Sequence, residues 1–467
     1  MLLNGLMRPT MLHNAGSRLP CKLLPAGRML TVSAAAGASS AQPQPKHHEH
    51  ADTPNFPFKR PAADHPPAEY AKLRRECPVA KARMFDGSDV WLITKLKDLK
   101  EVLQDNRLSK VRTHPGFPEL VPGAKAAIEG REPTFVDMDP PQHTHFRSIF
   151  EPGFSKQRVD AMKPSIKQHT TELIDAMKLQ RWKGGGDAVD LQENFSLPLA
   201  FKVIYQLLGI PFEDYNMLSN NVAVRASGSS TARDAAAAQE QLTRYMDKLV
   251  TEKEKHPSKD LISEVVQGHL KNGNTSREQL VAHAFLLLVA GNATVASMIN
   301  LGVITLLRHP EQLEAVKKDP SLWPSAVAEI CRYHTASAYA LRRVALQEVH
   351  VGGQSIKPGE GLIALNQSAN RDEDVFPEPD RFDISRKPNP HVAYGYGTHV
   401  CPGEYLSNVE LEIAFSGLFE RLPGLRLAVP ESQIQWSGPD KDVGVAALPV
   451  TWKMGKEEQE EMRRKAK

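Results

Sequence analysis

Apolar residues recur at helical spacing through the middle of the chain. The pattern predicts helices over 156–178, 190–208, 234–254, 276–308, 310–318, 324–334 and 403–420. Asn274, Thr275 and Ser276 form a start signal for the longest of these, and His309–Pro310 ends it. Strand-like runs are shorter and lie nearer the ends, at Val90–Thr94, Arg343–Val351, Gly361–Leu365 and Val445–Trp452. The Gly352–Gly353 pair reads as a hairpin turn. The pattern therefore predicts a mainly α fold with minor β, a single large helix-rich domain with small sheets. No strand–helix–strand alternation carries a Gly-x-Gly-x-x-Gly turn, so a Rossmann nucleotide site is not expected.

One stretch, Ala284–Leu307, runs 24 residues without a charge, enough to span a bilayer. Asn292, Thr294, Ser297, Asn300 and Thr305 interrupt it and Gly291 sits within it, so the expectation is a buried core helix and no transmembrane segment. The first 48 residues differ from the rest. No acid precedes Glu49, whereas Arg8, Arg18, Lys22, Arg28 and Lys46 are basic and Ala, Ser and Leu abound. That is the composition of an organelle transit peptide, read here as mitochondrial, with a secretory signal or plain disorder as the alternatives; an internal start at Met11 or Met29 would leave a cytosolic form. Residues 49–67 read as a disordered joint, 55–453 as the folded domain and 455–467 as a charged, solvated tail.

Composition excludes more than it selects. A net charge of +3 is too small to suggest a nucleic-acid partner. Four widely spaced cysteines, Cys21, Cys77, Cys331 and Cys401, argue against a disulfide scaffold and a structural zinc site. Chemistry concentrates at Tyr394-Gly-Tyr-Gly-Thr-His-Val-Cys-Pro-Gly403. Two glycines allow a tight turn beneath a flat object. Cys401 follows, and Pro402 is placed to open a helix. A cysteine at a helix N-terminus meets free N–H groups and the positive end of the dipole, which favours a thiolate, a soft metal ligand.

This loop resembles the haem-binding loop of the cytochrome P-450 superfamily, with Tyr394 where Phe is usual. Glu329-Ile-Cys-Arg332 resembles that family's Glu-x-x-Arg pair and Pro379-Asp-Arg-Phe382 its Pro-x-Arg-Phe. The resemblance implies the superfamily's fold and haem b (iron protoporphyrin IX) held by Cys401 between its loop and the long helix. It implies propionate contacts at His143, Arg147, Arg343 and His399, and a buried ion network of Glu329, Arg332 and Arg381.

Within the superfamily, the long helix carries Ala290-Gly-Asn-Ala-Thr294. Oxygen-activating relatives usually have an acid where this chain has Ala293, and Gly291 would open space for a small ligand. Several segments are similar to the fungal nitric oxide reductase family, including Lys110-Val-Arg-Thr113, Thr134-Phe-Val-Asp-Met-Asp-Pro-Pro141, Gly228-Ser-Ser-Thr-Ala-Arg233 and Asn366-Gln-Ser-Ala-Asn-Arg-Asp372. That resemblance implies reduction of two nitric oxide molecules to nitrous oxide, with electrons directly from NADH or NADPH and no dedicated reductase partner. It implies a proton relay of Thr294, Ser337 and Asp442. Lys110, Arg112 and Arg225 would line a dinucleotide channel, with Asp137 pairing those arginines. The loop Val121-Pro-Gly-Ala124 departs from that family's pattern, which leaves the choice of dinucleotide open. Two other readings are a haem-thiolate monooxygenase fed by a separate redox partner and a haem protein that only binds nitric oxide.

Overall fold

The computed structural model describes residues 53–465 apart from 62–63, 126–127, 185–186, 227–231 and 437–442. The transit-peptide span and Asp442 lie outside the described residues, as does the side chain of Arg225. Helices dominate, and the largest apolar core joins Lys156–Gly184, Leu197–Leu208, Arg277–Ala290, Ala293–Arg308, Trp323–His334 and Glu404–Arg421.

The long predicted helix exists but is broken. Ser276 caps its start in a reciprocal box: its hydroxyl accepts from the Gln279 N–H at 3.2 Å, and Gln279 Oε1 accepts from the Ser276 N–H at 2.9 Å. The helix then runs Arg277–Ala290, turns through Gly291 and Asn292, and resumes as Ala293–Arg308. Asn292 donates from its side chain to the Leu288 carbonyl, and Thr294 does the same to Ala290 at 3.2 Å. Side chains thus take the carbonyls that a straight helix would give to backbone N–H groups. Most of its apolar length is buried inside the protein, as expected for a core helix.

Two glycines set how closely the core helices approach. A Cβ on Gly302 would sit 2.2 Å from the Phe415 ring, and one on Gly417 would sit 2.7 Å from Thr170. Glu404–Arg421 is therefore wedged between Ala293–Arg308 and Lys156–Gly184. The expected start at Pro402 is displaced: residues 402–403 form a turn, and the first helical residue is Glu404.

The main sheet has five strands. Val79–Arg83 pairs antiparallel with Asp89–Ile93, which runs parallel to Gly361–Ala364. That strand pairs antiparallel with Arg342–Ala345, and Leu108–Ser109 forms the far edge. The single strand expected over 343–351 is two. Arg342–Ala345 ends at exposed Leu346, and Val349–Val351 forms a separate hairpin with Gln354–Ile356. Its turn is the expected Gly352–Gly353, both residues at positive φ. The strand expected over 445–452 likewise divides, Val445–Ala447 and Pro449–Thr451 joining different sheets.

Part of the expected joint is packed. Phe56 and Phe58 are buried, with Phe56 edge-on to Tyr339 at 5.8 Å and Phe58 edge-on to Tyr70 at 6.0 Å. Within the expected tail, Lys456–Lys465 is a helix that seats Met462 in the interior. Replacing Gly302 with Val should destabilise the fold by about 1–3 kcal/mol through overpacking against Phe415, measured as a fall in denaturant midpoint. A Gly302→Val, Phe415→Leu double variant should recover part of the loss.

Candidate functional site

A cavity of about 950 Å³ runs through the interior from Cys401 past the broken helix to the surface near Phe117, Arg131 and Glu278. Cys401 comes off a loop whose shape depends on Gly395 and Gly397, at φ 82° and 72°, values that only glycine takes without strain. The Cys401 N–H donates to the Tyr394 carbonyl at 2.9 Å and closes the turn. Its sulfur opens into the cavity. Burial pushes the thiol pKa up, and the Gly403 N–H and the Arg147 charge offset this only in part. The helix begins at Glu404, just beyond the cysteine. A metal on the sulfur would remove the proton.

Beside the cysteine lie several basic groups, of which Arg147 approaches Glu151 at 3.5 Å. His143 is buried and, among the described residues, neither ring nitrogen has a partner. Its ring lies 4.2 Å from that of His399. Arg147 donates to the Val400 carbonyl at 2.7 Å, but its Nε is buried and unpartnered. Arg343 is buried and donates to the Arg342 carbonyl at 2.8 Å; burial lowers its pKa to about 10. Burial, with Arg147 and Arg343 nearby, lowers the pKa of His143. Burial, then Arg343 and His143, lower that of His399 well below the usual range. Unsatisfied donors of this kind suit a planar ligand bearing two carboxylates, and a soft sulfur facing the same space suits an iron at its centre. These residues, the five that the resemblance implied, fit haem.

Behind the loop, Glu329 and Arg332 form a fully buried two-point ion pair, both contacts 2.8 Å. The expected third member is corrected. Arg381 is exposed and pairs with Glu378, giving Arg332 only its backbone carbonyl. Arg386 takes the place, its Nε 3.3 Å from Glu329. Arg332 also donates to the carbonyls of Asn370 and Pro379, at 2.9 and 2.8 Å. Arg381 is part of the recognisable motif, whereas Arg386 is simply a cation five residues later.

The relay residues are partly placed. Thr294 and Ser337 both line the cavity. Thr294 spends its hydroxyl on Ala290, and Ser337 is held through its carbonyl, which accepts from Asn366 at 3.0 Å. Gly291 also lines the cavity, and a Cβ there would approach Ile204 at 3.3 Å, so packing shares in its requirement.

At the channel, Lys110, Arg112 and Asp137 line the wall, but the pairing differs from expectation. Arg112 grips Glu119 through two contacts of 2.8 Å, and Arg342 reaches the same carboxylate at 2.7 Å. Asp137 pairs with Arg131 at 3.0 Å, not with Arg112. Lys110 donates to the Ala340 carbonyl at 2.6 Å; burial, then Arg343 and Arg342, lower its pKa well below the ordinary lysine range. Glu119, Arg131 and Arg342 carry no motif signal. Only the meeting of a loop with a sheet edge reveals them.

Comparison with known proteins agrees with this site. The family model for cytochrome P450 matches residues 212–320 and 321–449. Cytochrome P450 55A3 of Fusarium lichenicola is 48% identical over 401 residues, covering 85% of this chain and 97% of that one. Vitamin D3 dihydroxylase of Streptomyces griseolus is 38% identical over 402 residues, covering 86% and 97%. Among solved structures, cytochrome P450 MoxA from Nonomuraea recticatena superposes with a TM-score of 0.81 at 36% identity, covering 86% of this chain and 99% of that one.

Replacing Cys401 with Ala should abolish the haem-thiolate absorption spectrum while the helical circular dichroism persists. Replacing Glu329 with Gln strands Arg332 and Arg386 in the interior and should cost about 3–5 kcal/mol, read from chemical denaturation.

Proposed function

The chain belongs to the cytochrome P450 family, and we propose that within it this protein reduces two nitric oxide molecules to nitrous oxide, drawing electrons directly from NADH or NADPH. The observation that supports this reading most is the make-up of the cavity. The position before Thr294 is Ala293, so no carboxylate stands there to feed protons to dioxygen, while the cavity lining includes Lys110, Arg112, Arg131 and Arg342. A dinucleotide's two phosphates require such cations, and an apolar substrate does not. The segments similar to the fungal nitric oxide reductases support the same reading.

Bound at Cys401, haem would supply an iron that binds nitric oxide and takes up electrons from the donor. His143, Arg147, Arg343 and His399 would hold its propionates. The chain's own work is then to admit the dinucleotide and deliver protons. Two carboxylates, Glu119 and Asp137, occupy arginines that phosphate would otherwise use. Dinucleotide entry therefore exchanges one anionic partner for another, leaving no arginine unpaired, which limits the desolvation cost. Lys110 is half-buried with only a carbonyl partner, and an incoming phosphate would stabilise its charged form.

For proton delivery, the Thr294 hydroxyl must turn from Ala290 toward the cavity, which Ser337 also lines from the loop after Trp323–His334. Hydroxyls joined by water form a relay of the kind that general acid catalysis uses. Asp442 is proposed as its outer end. We propose mitochondria as the site of action, on the basic, acid-free first 48 residues; a reporter fused to residues 1–48 should be imported.

The test is an anaerobic mixture of the purified haem protein, nitric oxide and NADH or NADPH, with no reductase. Nitrous oxide should form. Turnover only after adding a redox partner, with spin-state changes caused by a lipid or terpenoid, would make the protein a monooxygenase instead. Thr294→Ala should slow turnover by about 10²-fold and leave nitric oxide binding intact by absorption spectroscopy. Arg112→Ala should act chiefly on the Michaelis constant for the dinucleotide.

A further inference from the structure

One fully buried titratable group takes no part in the haem contacts or the relay. His283 projects from the helix Arg277–Ala290, on the turn between cavity-lining Ala282 and Leu286. Its ring stacks against Phe135, Phe146 and Phe150, with centroids 5.3, 4.9 and 4.9 Å away. Both nitrogens are satisfied by backbone. Nδ1 lies 2.6 Å from the carbonyl of Gln279, so it must carry the proton and donate. Nε2 is then a bare acceptor and receives the N–H of Phe135 at 3.1 Å. This second bond crosses 148 residues of sequence. It joins the helix to a loop that belongs to no sheet.

That loop forms the cavity wall. Arg131, Glu132, Thr134, Val136 and Asp137 all line the cavity. Thr134–Asp137 closes as a single tight turn, the Asp137 N–H donating to the Thr134 carbonyl at 2.8 Å. The Arg131–Asp137 ion pair spans the loop. Among the described contacts, the Phe135 N–H is the backbone donor this turn sends into the helix. A leucine or phenylalanine at 283 could fill the same space but would leave that N–H buried without an acceptor. The ring is thus selected for its lone pair as well as its bulk.

We infer that His283 is a positioning residue: its Nε2 lone pair pins the Phe135 backbone to the long helix and so fixes the wall Arg131–Asp137 against which the dinucleotide lies. The pinning stands on the contacts alone, and the consequence for the dinucleotide rests on the function proposed above. Burial lowers the His283 pKa to about 4, which keeps Nε2 free to accept at neutral pH. Among the described residues, the ring's recorded contacts are with three phenylalanines and two backbone groups.

Two substitutions separate the lone pair from the bulk. In Gln, the amide oxygen reaches the place of Nε2 and can accept from Phe135. In Asn, the amide stops at the place of Nδ1 and leaves the Phe135 N–H unpartnered. Amide hydrogen exchange, followed by mass spectrometry on the haem-loaded protein, should show peptides over 131–138 exchanging about tenfold faster in His283→Asn. Exchange in Glu404–Arg421 should be unchanged, and His283→Gln should stay close to the native protein. In the same variants the Michaelis constant for NADH should rise about tenfold in His283→Asn with kcat within twofold, and Gln should restore it. Unchanged exchange at 131–138, a rise spread equally over the whole protein, or equal defects in Gln and Asn would each overturn the pinning. Altered exchange with an unchanged Michaelis constant would overturn the link to the dinucleotide. A native protein that makes nitrous oxide with neither dinucleotide would refute the proposed function and leave the exchange result to judge His283.

Discussion

One sulfur must face an open cavity at the centre of the protein, on a loop that cannot move. Every large feature of the fold bears on that constraint. The loop turns on two glycines and closes through the Cys401–Tyr394 backbone bond. The helix that follows is wedged at Gly302 and Gly417, where any side chain would collide with a neighbour. Because interiors are close-packed, a shift there is not absorbed locally. It passes to the cysteine at one end or to the broken helix at the other.

Charge is handled by the same logic. Two sets of buried polar and charged groups lie near the cysteine loop, and they differ in how far their donors are met. Glu329, Arg332 and Arg386 are saturated: each oxygen and most guanidinium donors have partners, which makes the set rigid. By contrast, His143 and Arg147 carry buried donors with nothing to bond. Leaving such donors unmet costs free energy unless a ligand meets them. The saturated set is architecture and the unsaturated set is a binding site. The channel wall lies between, its arginines provisionally held by Glu119 and Asp137.

The sequence was most legible where chemistry demands a fixed local spacing. The cysteine loop, the Glu329–Arg332 pair and the capping box at Ser276 all operate within one turn, so their partners sit a few residues apart. The Gly352–Gly353 turn was readable for the same reason. What escaped detection depends on distant meetings. Arg386 displaced Arg381 because the network is decided by which cation the loop carries inward. Glu119 holds Arg112 and Arg342, one near and one 223 residues away. The helix break at Gly291 was hidden because the apolar period continues through it. Only the side-chain bonds of Asn292 and Thr294 reveal where the backbone changes course.

That break links structure to reaction. Thr294 has one hydroxyl proton and two claims on it. Bonded to Ala290, it repairs the interrupted helix; in the proposed relay it would turn to the cavity and pass a proton. A neutral hydrogen bond is worth about 1 kcal/mol net, so the change of partner is inexpensive at room temperature. Asn292 has its own bond to Leu288, independent of the Thr294 hydroxyl. A straight helix would have met these carbonyls with backbone N–H groups. By substituting side chains for backbone at this one turn, the protein keeps a hydroxyl donor beside the cavity, as the proposed relay requires.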